Sequence, residues 1–153
     1  MVIIKRLMRF LFIDKSLKSD VVFLKKVALF GGLSDRTLSK IALIIFKRNY
    51  VQGEPVYGEK QEADVLYIIK NGRIKINNES GEKIAESGDF FGEMSLIADK
   101  KHDSSAVALK NSELYLIYRV KFDDLVDLDA KAGLQIMKNL SKILALRAKC
   151  SEI

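Results

Sequence analysis

The spacing of apolar residues changes twice along this chain. Up to about residue 46 apolar residues recur every three or four positions, between 49 and 119 they fall in short alternating runs, and after 120 the longer spacing returns. A period near 3.6 predicts helices, and a period of 2 predicts strands. The predicted order is therefore helices, a β-rich middle, and helices again.

Residues 1–14 predict a basic amphipathic helix. Basic residues share one side at helical spacing, and apolar residues share the other. These are Lys5, Arg6 and Arg9 on the basic side and Ile4, Leu7, Met8 and Leu11 on the apolar side. Such a helix can lie on an anionic membrane surface or on a partner, or it can dock on its own domain or on a second copy. No small-residue cleavage site of a secretory signal follows it.

Residues 20–29 continue the helical spacing until Gly31 and Gly32 interrupt it. Ser34 is a suitable N-cap for a further helix that runs through about Phe46. The predicted buried face of that helix contains Leu38, Ile41, Ala42 and Ile45.

Six short segments, most of them rich in Val, Ile, Leu and Tyr, predict strands. They are 55–58, 65–70, 73–78, 82–86, 105–109 and 113–119. Asn71-Gly72 predicts a hairpin between the second and third of these, and Ser80-Gly81 predicts another after the third. Short strands at this spacing are typical of a small antiparallel barrel or roll.

Residues 88–108 contain a turn that can hold an anion. Gly92 allows a tight backbone turn, Met94–Ile97 has the length of one helical turn, and the small-residue strand Ser104–Ala108 follows. The first N–H groups of such a turn have no partner within it and can donate to an anion. The aromatic residues around it are predicted to be core. They are Tyr67, Phe90 and Phe91.

After residue 119 a short helix at 121–127 and a long one at 129–149 are predicted. The long helix carries a seam with spacings of three and four, formed by Ala130, Gly133, Met137, Leu140, Leu144 and Arg147. This seam predicts either a homodimer through the C-terminal helix or packing back on the roll of the same chain.

Composition limits the chemistry of the chain. It has one Cys, one His and no run of 18 apolar residues, so we expect neither a disulfide, a metal site, a cofactor nor a membrane span. The single thiol suits a reducing, cytoplasmic location, with membrane association left open. Of the net charge of +6, residues 1–30 contribute +5, residues 31–119 contribute 0, and residues 120–153 contribute +1. That distribution argues against a broad nucleic-acid-binding face.

Four segments, in this order, carry a resemblance to a known family. They are Leu29-Phe30-Gly31-Gly32-Leu33-Ser34, Gly53-Glu54-Pro55-Val56-Tyr57, the stretch from Ala63-Asp64-Val65 to Asn71-Gly72-Arg73-Ile74, and Gly88-Asp89-Phe90-Phe91-Gly92-Glu93-Met94-Ser95-Leu96. The chain resembles the cyclic-nucleotide-binding domains of catabolite activator protein and of kinase regulatory subunits. The resemblance implies a mainly β fold with flanking helices: an antiparallel β-roll or jelly-roll of about eight short strands, N-terminal helices and a long C-terminal helix. The expected parts are 1–20 (N-terminal helix), 21–128 (roll with adjoining helices) and 129–153 (C-terminal helix).

In that family the Gly-Glu turn is a phosphate-binding cassette. Its amides hold the cyclic phosphate, its Glu accepts from the ribose 2′-OH, and an Arg ten or eleven residues after the Gly grips the phosphate. Here ten residues after Gly92 is His102, and eleven is Asp103. The resemblance therefore gives these candidate ligand-binding residues: Gly92, Glu93, Met94, Ser95, His102, Asp103, Ser104 and Ser105.

The absent Arg predicts weak or no binding of cAMP and cGMP. A guanidinium makes two charge-assisted bonds to phosphate that neither Lys nor His can copy. At about 1.5–3 kcal/mol per bond, its loss weakens binding by roughly two to four decades. Lys100, Lys101 or a protonated His102 could supply a point charge instead. Glu93 could cap local N–H groups rather than bind ribose.

A second departure from the family is Lys60, which stands where a Gly is usual. Because Gly there commonly serves a turn with positive φ, a reshaped loop is expected.

The predicted function is a non-catalytic regulatory or scaffold module that acts through a protein partner or through dimerisation. The alternatives are a sensor of a cyclic nucleotide or another small anion, and a membrane-surface assembly protein that uses residues 1–14. No enzyme is expected, because the sequence shows no nucleophile–base pair, no Walker A loop and no paired carboxylates. No DNA partner is expected either, because DNA-binding relatives carry a helix-turn-helix domain after the long helix and this sequence ends at Ile153.

Overall fold

A computed structural model describes residues 1–151 of the chain. It separates into two compact units, residues 44–128 and residues 1–43 together with the chain from 129 onward. The elements in order are α1 (Val2–Leu24), a 3-10 turn (Ala28–Phe30), α2 (Asp35–Leu43), β1 (Phe46–Tyr50), β2 (Pro55–Tyr57), β3 (Val65–Asn71), β4 (Arg73–Asn78), β5 (Gly81–Glu86), β6 (Phe90–Phe91), a 3-10 turn (Glu93–Leu96), β7 (Ser104–Ala108), β8 (Ser112–Tyr118), α3 (Arg119–Leu128) and α4 (Ala130–Ser151).

The unit of residues 44–128 is an antiparallel β-roll. Its two four-stranded sheets have the orders β1-β8-β3-β6 and β2-β7-β4-β5. Alternate side chains of both sheets point inward and form one apolar core. The core contains Tyr50, Tyr57, Val65, Tyr67, Ile69, Ile74, Ile76, Ala85, Phe91, Ala106, Ala108, Leu114 and Leu116. The predicted mainly β fold with flanking helices is confirmed, as is the burial of Tyr67, Phe90 and Phe91.

The predicted hairpin at Asn71-Gly72 is wrong. β3 pairs with β6 and β8, whereas β4 pairs with β5 and β7, so the chain crosses from one sheet to the other at this point. Gly72 has φ +125° and passes directly over Ser112, whose hydroxyl accepts from Arg73 N at 3.2 Å. An Asn-Gly pair supplies the left-handed backbone that a hairpin needs, but the same freedom also serves a corner. The hairpin predicted at Ser80-Gly81 is confirmed between β4 and β5.

The strand β1 was not predicted, because its sequence does not alternate. Four of its five side chains are exposed and only Tyr50 is buried. It lies at the edge of its sheet and pairs with β8 alone. An edge strand with one buried residue lacks the period-2 pattern from which strands are recognised.

The helical unit is held together by polar contacts to the backbone. Ser34 caps α2, as predicted, by accepting from Thr37 N at 3.2 Å. On α4, the Asn139 amide donates to the carbonyls of Leu29 and Gly31 at 3.0 and 2.8 Å. These two bonds fasten the 3-10 turn at Ala28–Phe30 to α4.

Part of the predicted seam of α4 is buried within its own unit. Gly133 and Leu140 are buried, but Ala130 is exposed. Ile136, which lies outside the predicted seam, is fully buried. The first half of α4 therefore packs through a face rotated from the predicted one. Residues 152 and 153, the end of the predicted C-terminal segment, lie outside the described residues.

The two predicted N-terminal helical segments form one continuous helix, α1. Within its own unit the first half of α1 is not packed against the other helices: Ile4, Leu7 and Leu11 are each at least 60% exposed. In the part of the chain that the structure describes, no helix is long and apolar enough to cross a membrane.

Candidate functional site

The turn after β6 requires a glycine. Gly92 has φ +73°, and a Cβ there would lie 2.7 Å from the Val65 carbonyl oxygen and 3.2 Å from the Tyr67 ring. Ser95, which is fully buried, closes the turn by donating to the Gly92 carbonyl from its N–H at 3.1 Å and from its hydroxyl at 2.6 Å. The turn is therefore fixed by close packing against β3.

Glu93 is buried with this turn, at 9% exposure. Burial raises the pKa of the Tyr57 phenol above 10, and the negative charges of Glu93 and Asp103 raise it further, whereas the hydrogen bond to Ser104 lowers it. The Tyr57 hydroxyl and the Ser104 hydroxyl are 3.1 Å apart. Glu93, Tyr57 and Ser104 thus belong to one polar cluster inside the roll.

His102 lies against the same cluster. Its ring stacks on Tyr57, with centroids 3.7 Å apart and planes 8° from parallel. Along β7, Ser104, Ala106 and Ala108 are buried while the residues between them are partly exposed. Since side chains alternate along a strand, His102 falls on the inward side and Asp103 on the outward side. Of the two residues that could stand at the position of the family's Arg, His102, ten residues after Gly92, is therefore the one that faces inward.

Asp103 is directed outward. Its side chain is 79% exposed and pairs with the Lys100 ammonium at 3.3 Å. The carboxylate that could oppose a bound anion is thus at the surface, and one of the two candidate replacement cations is occupied there. Lys101, the other, is exposed.

Backbone hydrogen bonds between residues 60–63 and residues 100–102 hold His102 in place. Its N–H donates to the Gln61 carbonyl at 2.8 Å, and its carbonyl accepts from Lys60 N at 2.9 Å. Ala63 N donates to the Lys100 carbonyl at 3.1 Å. Lys60 has φ +64°, the left-handed conformation to which a glycine is suited. The backbone at Lys60 therefore keeps the positive φ of the usual glycine, and the expected reshaping is not found at this residue.

Replacing Lys60 with Gly is expected to stabilise the fold. A left-handed non-glycine residue carries a strain of about 1–2 kcal/mol, of which the greater freedom of unfolded Gly cancels about 0.5–1 kcal/mol. We expect Lys60→Gly to raise the free energy of unfolding by about 0.5–1 kcal/mol in urea denaturation. The control Glu59→Gly, at a position without positive φ, should lower it by a similar amount. Equal losses for both variants would contradict the strain.

Burial lowers the pKa of His102 below 6.5; nearby Asp103 and Asp64 oppose this shift and Lys100 adds to it. The imidazole is therefore neutral at pH 7. Between that lowered pKa and 6.5 the unfolded chain binds more protons than the folded one, so stability is complete above about pH 6.5 and declines as the pH falls. We expect His102→Gln to remove this part of the pH dependence in denaturation at pH 7.5 and 5.5. A histidine NMR titration with a midpoint above 6.5 would contradict it.

Of the candidate residues, the fold brings Glu93, His102 and Ser104 together around Tyr57. Gly92 and Ser95 form the turn that carries Glu93. Met94 and Ser105 are partly exposed, and Asp103 is outside. Sequence reasoning missed the role of Tyr57, because a tyrosine at the end of a short strand looks like ordinary core. Among residues 1–151 no cluster of three or more His, Cys, Asp or Glu side chains suited to a metal ion is found.

Comparison with known proteins agrees with this geometry. Residues 47–129 match the family described as the cyclic nucleotide-binding domain. The cyclic AMP receptor protein of Thermus thermophilus is 28% identical over 85% of this chain and 61% of its own length. A cGMP-dependent protein kinase, egl-4, of Caenorhabditis briggsae is 31% identical over 70% of this chain and 16% of its own. The chain thus spans less than two thirds of either relative.

A solved structure shows the same fold. A cyclic nucleotide-binding domain from Methylobacillus flagellatus superposes on this chain with a TM-score of 0.76 at 21% identity. The match covers 90% of this chain and 81% of that domain. The family match extends over more than half of the sequence and includes the whole Gly92 turn and its facing strand. This chain belongs to the cyclic nucleotide-binding domain family.

Proposed function

We propose that this chain is a non-catalytic regulatory domain whose cyclic-nucleotide site has lost strong affinity for cAMP and cGMP. The observation that carries this proposal is the position of His102, two residues before β7 and stacked on Tyr57. Its pKa is lowered, so it is neutral at pH 7. A phosphate at the Gly92 turn would thus meet no fixed cation on the facing strand.

The rest of the cassette suggests that the turn keeps the structure of the family but not its affinity for a cyclic nucleotide. The Gly92 turn packs against β3, and the Ser95 hydroxyl donates to the Gly92 carbonyl at 2.6 Å. Glu93 is buried in the same turn, and a carboxylate there would repel a bound anion. The Ser104 hydroxyl pairs with the Tyr57 hydroxyl at 3.1 Å, a contact that suits packing inside the roll better than activation of a nucleophile.

Calorimetric titration tests this proposal. The chain should show no binding of cAMP or cGMP at micromolar concentrations at pH 7.5. Cyclic dinucleotides belong in the same series, because a second phosphate could find Lys100 or Lys101. Micromolar or tighter binding of cAMP by the unaltered chain would contradict the degenerate site.

We infer that the output of the domain is contact with a protein partner, and that a second copy of the chain is the partner to test first. One face of the N-terminal half of α4 is buried, whereas Leu144 and Arg147 of the predicted seam are only half-buried. A dimer through this second half is expected to appear in light scattering coupled to gel filtration. Leu144→Glu should convert it to a monomer, whereas Leu134→Glu, at an exposed position off the seam, should not. A monomer in the unaltered chain would exclude this partner.

A further inference from the structure

The first half of α1 presents a continuous apolar face to solvent. Five large apolar side chains on this face are 48–79% exposed: Ile3, Ile4, Leu7, Met8 and Leu11. At about 100° per residue they fall within an arc of about 140°. An exposed stripe of this size on one helix needs an occupant, because such surface is normally removed from water.

The opposite side of the same helix is basic. Lys5, Arg6 and Arg9 occupy an arc of about 100° centred opposite the apolar face, and all three are exposed. Val2 and Ile13 lie on this side as well, so the basic face is not purely polar. Within the described part of the chain these three cations form no ion pair.

Charge decides between the candidate occupants. Residues 1–13 contain no acidic residue, and the first one, Asp14, pairs with Lys18 at 3.2 Å. A second α1 laid along this segment would offer apolar contact but no free carboxylate opposite the three cations. An anionic lipid surface supplies both an apolar layer and negative charge.

We propose that the first half of α1, from residue 2 to residue 13, binds an anionic membrane surface and lies in the plane of the interface. Three cations, Lys5, Arg6 and Arg9, suit a position in the plane of the interface rather than in the hydrocarbon core. The apolar face enters the acyl boundary while Lys5, Arg6 and Arg9 remain at the level of the headgroups. This site shares no residue with the Gly92 turn, so an experiment on one does not test the other.

Vesicle sedimentation of the full chain tests the inference. We expect binding to phosphatidylcholine vesicles that contain 30% phosphatidylglycerol, and at least tenfold weaker binding to phosphatidylcholine alone. Replacing Lys5, Arg6 and Arg9 together with Gln removes three charges, each worth about fivefold near the surface, so affinity should fall about 100-fold. The matched control replaces three exposed lysines of α4 with Gln: Lys131, Lys138 and Lys142. It loses the same net charge and should bind nearly as well as the unaltered chain.

The apolar face is tested in the same way. Leu7→Ser together with Leu11→Ser should reduce vesicle binding at least tenfold, whereas Leu134→Ser with Leu146→Ser, also exposed, should not. Because all four side chains face solvent, the variants should keep their unfolding midpoints. If the two triple substitutions to Gln, in α1 and in α4, weakened vesicle binding equally, net charge alone would explain the effect. That result would overturn the proposal. The unaltered chain could instead form an oligomer that the Leu7 and Leu11 substitutions dissociate, and fail to bind vesicles. Those two results together would overturn the proposal and assign the apolar face to a second copy of the chain.

Discussion

His102→Arg is expected to raise the affinity of this chain for cAMP at least about 100-fold. The position already faces the interior of the roll and stacks on Tyr57, and a guanidinium also stacks on aromatic rings. The new side chain would supply two charge-assisted bonds to a phosphate at the Gly92 turn, each worth about 1.5–3 kcal/mol. Calorimetric titration of both proteins at pH 7.5 measures the gain.

Three further variants show whether the gain comes from geometry or from charge. His102→Lys adds the charge without the planar fork and should recover much less affinity. Lys101→Arg, one residue away and exposed, should change nothing. Adding Asp103→Ser to His102→Arg should have little further effect, because that carboxylate lies outside and pairs with Lys100. No gain from His102→Arg in a chain of unchanged stability would show that the missing Arg is not what limits binding.

Gly72→Ala is expected to destabilise the roll by about 2–5 kcal/mol. A Cβ at this corner would lie 2.0 Å from the Ser112 hydroxyl oxygen, 2.3 Å from its Cβ and 2.7 Å from its Cα. Rotating the Ser112 side chain cannot relieve contacts with Cβ and Cα, so β8 itself must shift. Overpacking of this kind costs about 1–3 kcal/mol, and the φ of +125° adds about 1–2 kcal/mol of strain.

Gly81 provides a matched control, since its φ of +128° is nearly that of Gly72 but nothing lies within 4 Å of a Cβ built there. Gly81→Ala should therefore cost only the backbone strain, about 1–2 kcal/mol. The difference between the two variants in urea denaturation isolates the contact with Ser112. Equal losses would mean that the corner yields without disturbing β8.

The helical and β-rich regions were predictable because each rests on a local pattern. The alternation in Ile74–Ile76 reflects burial on one face of a sheet, whereas Val65–Ile69 is apolar and buried throughout. The cap at Ser34 is a contact within one turn. The pairing of β3 was not predictable from the Asn71-Gly72 turn. Which sheet a strand joins depends on distant residues, here Leu114 and Leu116 of β8.

The candidate site divides in the same way. The sequence alone determined the Gly92–Ser95 turn, the absence of an Arg on the facing strand and the basic N-terminal segment, because these are matters of residue type and spacing. The tertiary structure decided that His102 rather than Asp103 faces inward and that Tyr57 lies beneath it. It also decided that the apolar side chains in the first half of α1 are not covered by the other helices of their unit. These outcomes depend on strand register and long-range packing, which no local pattern contains.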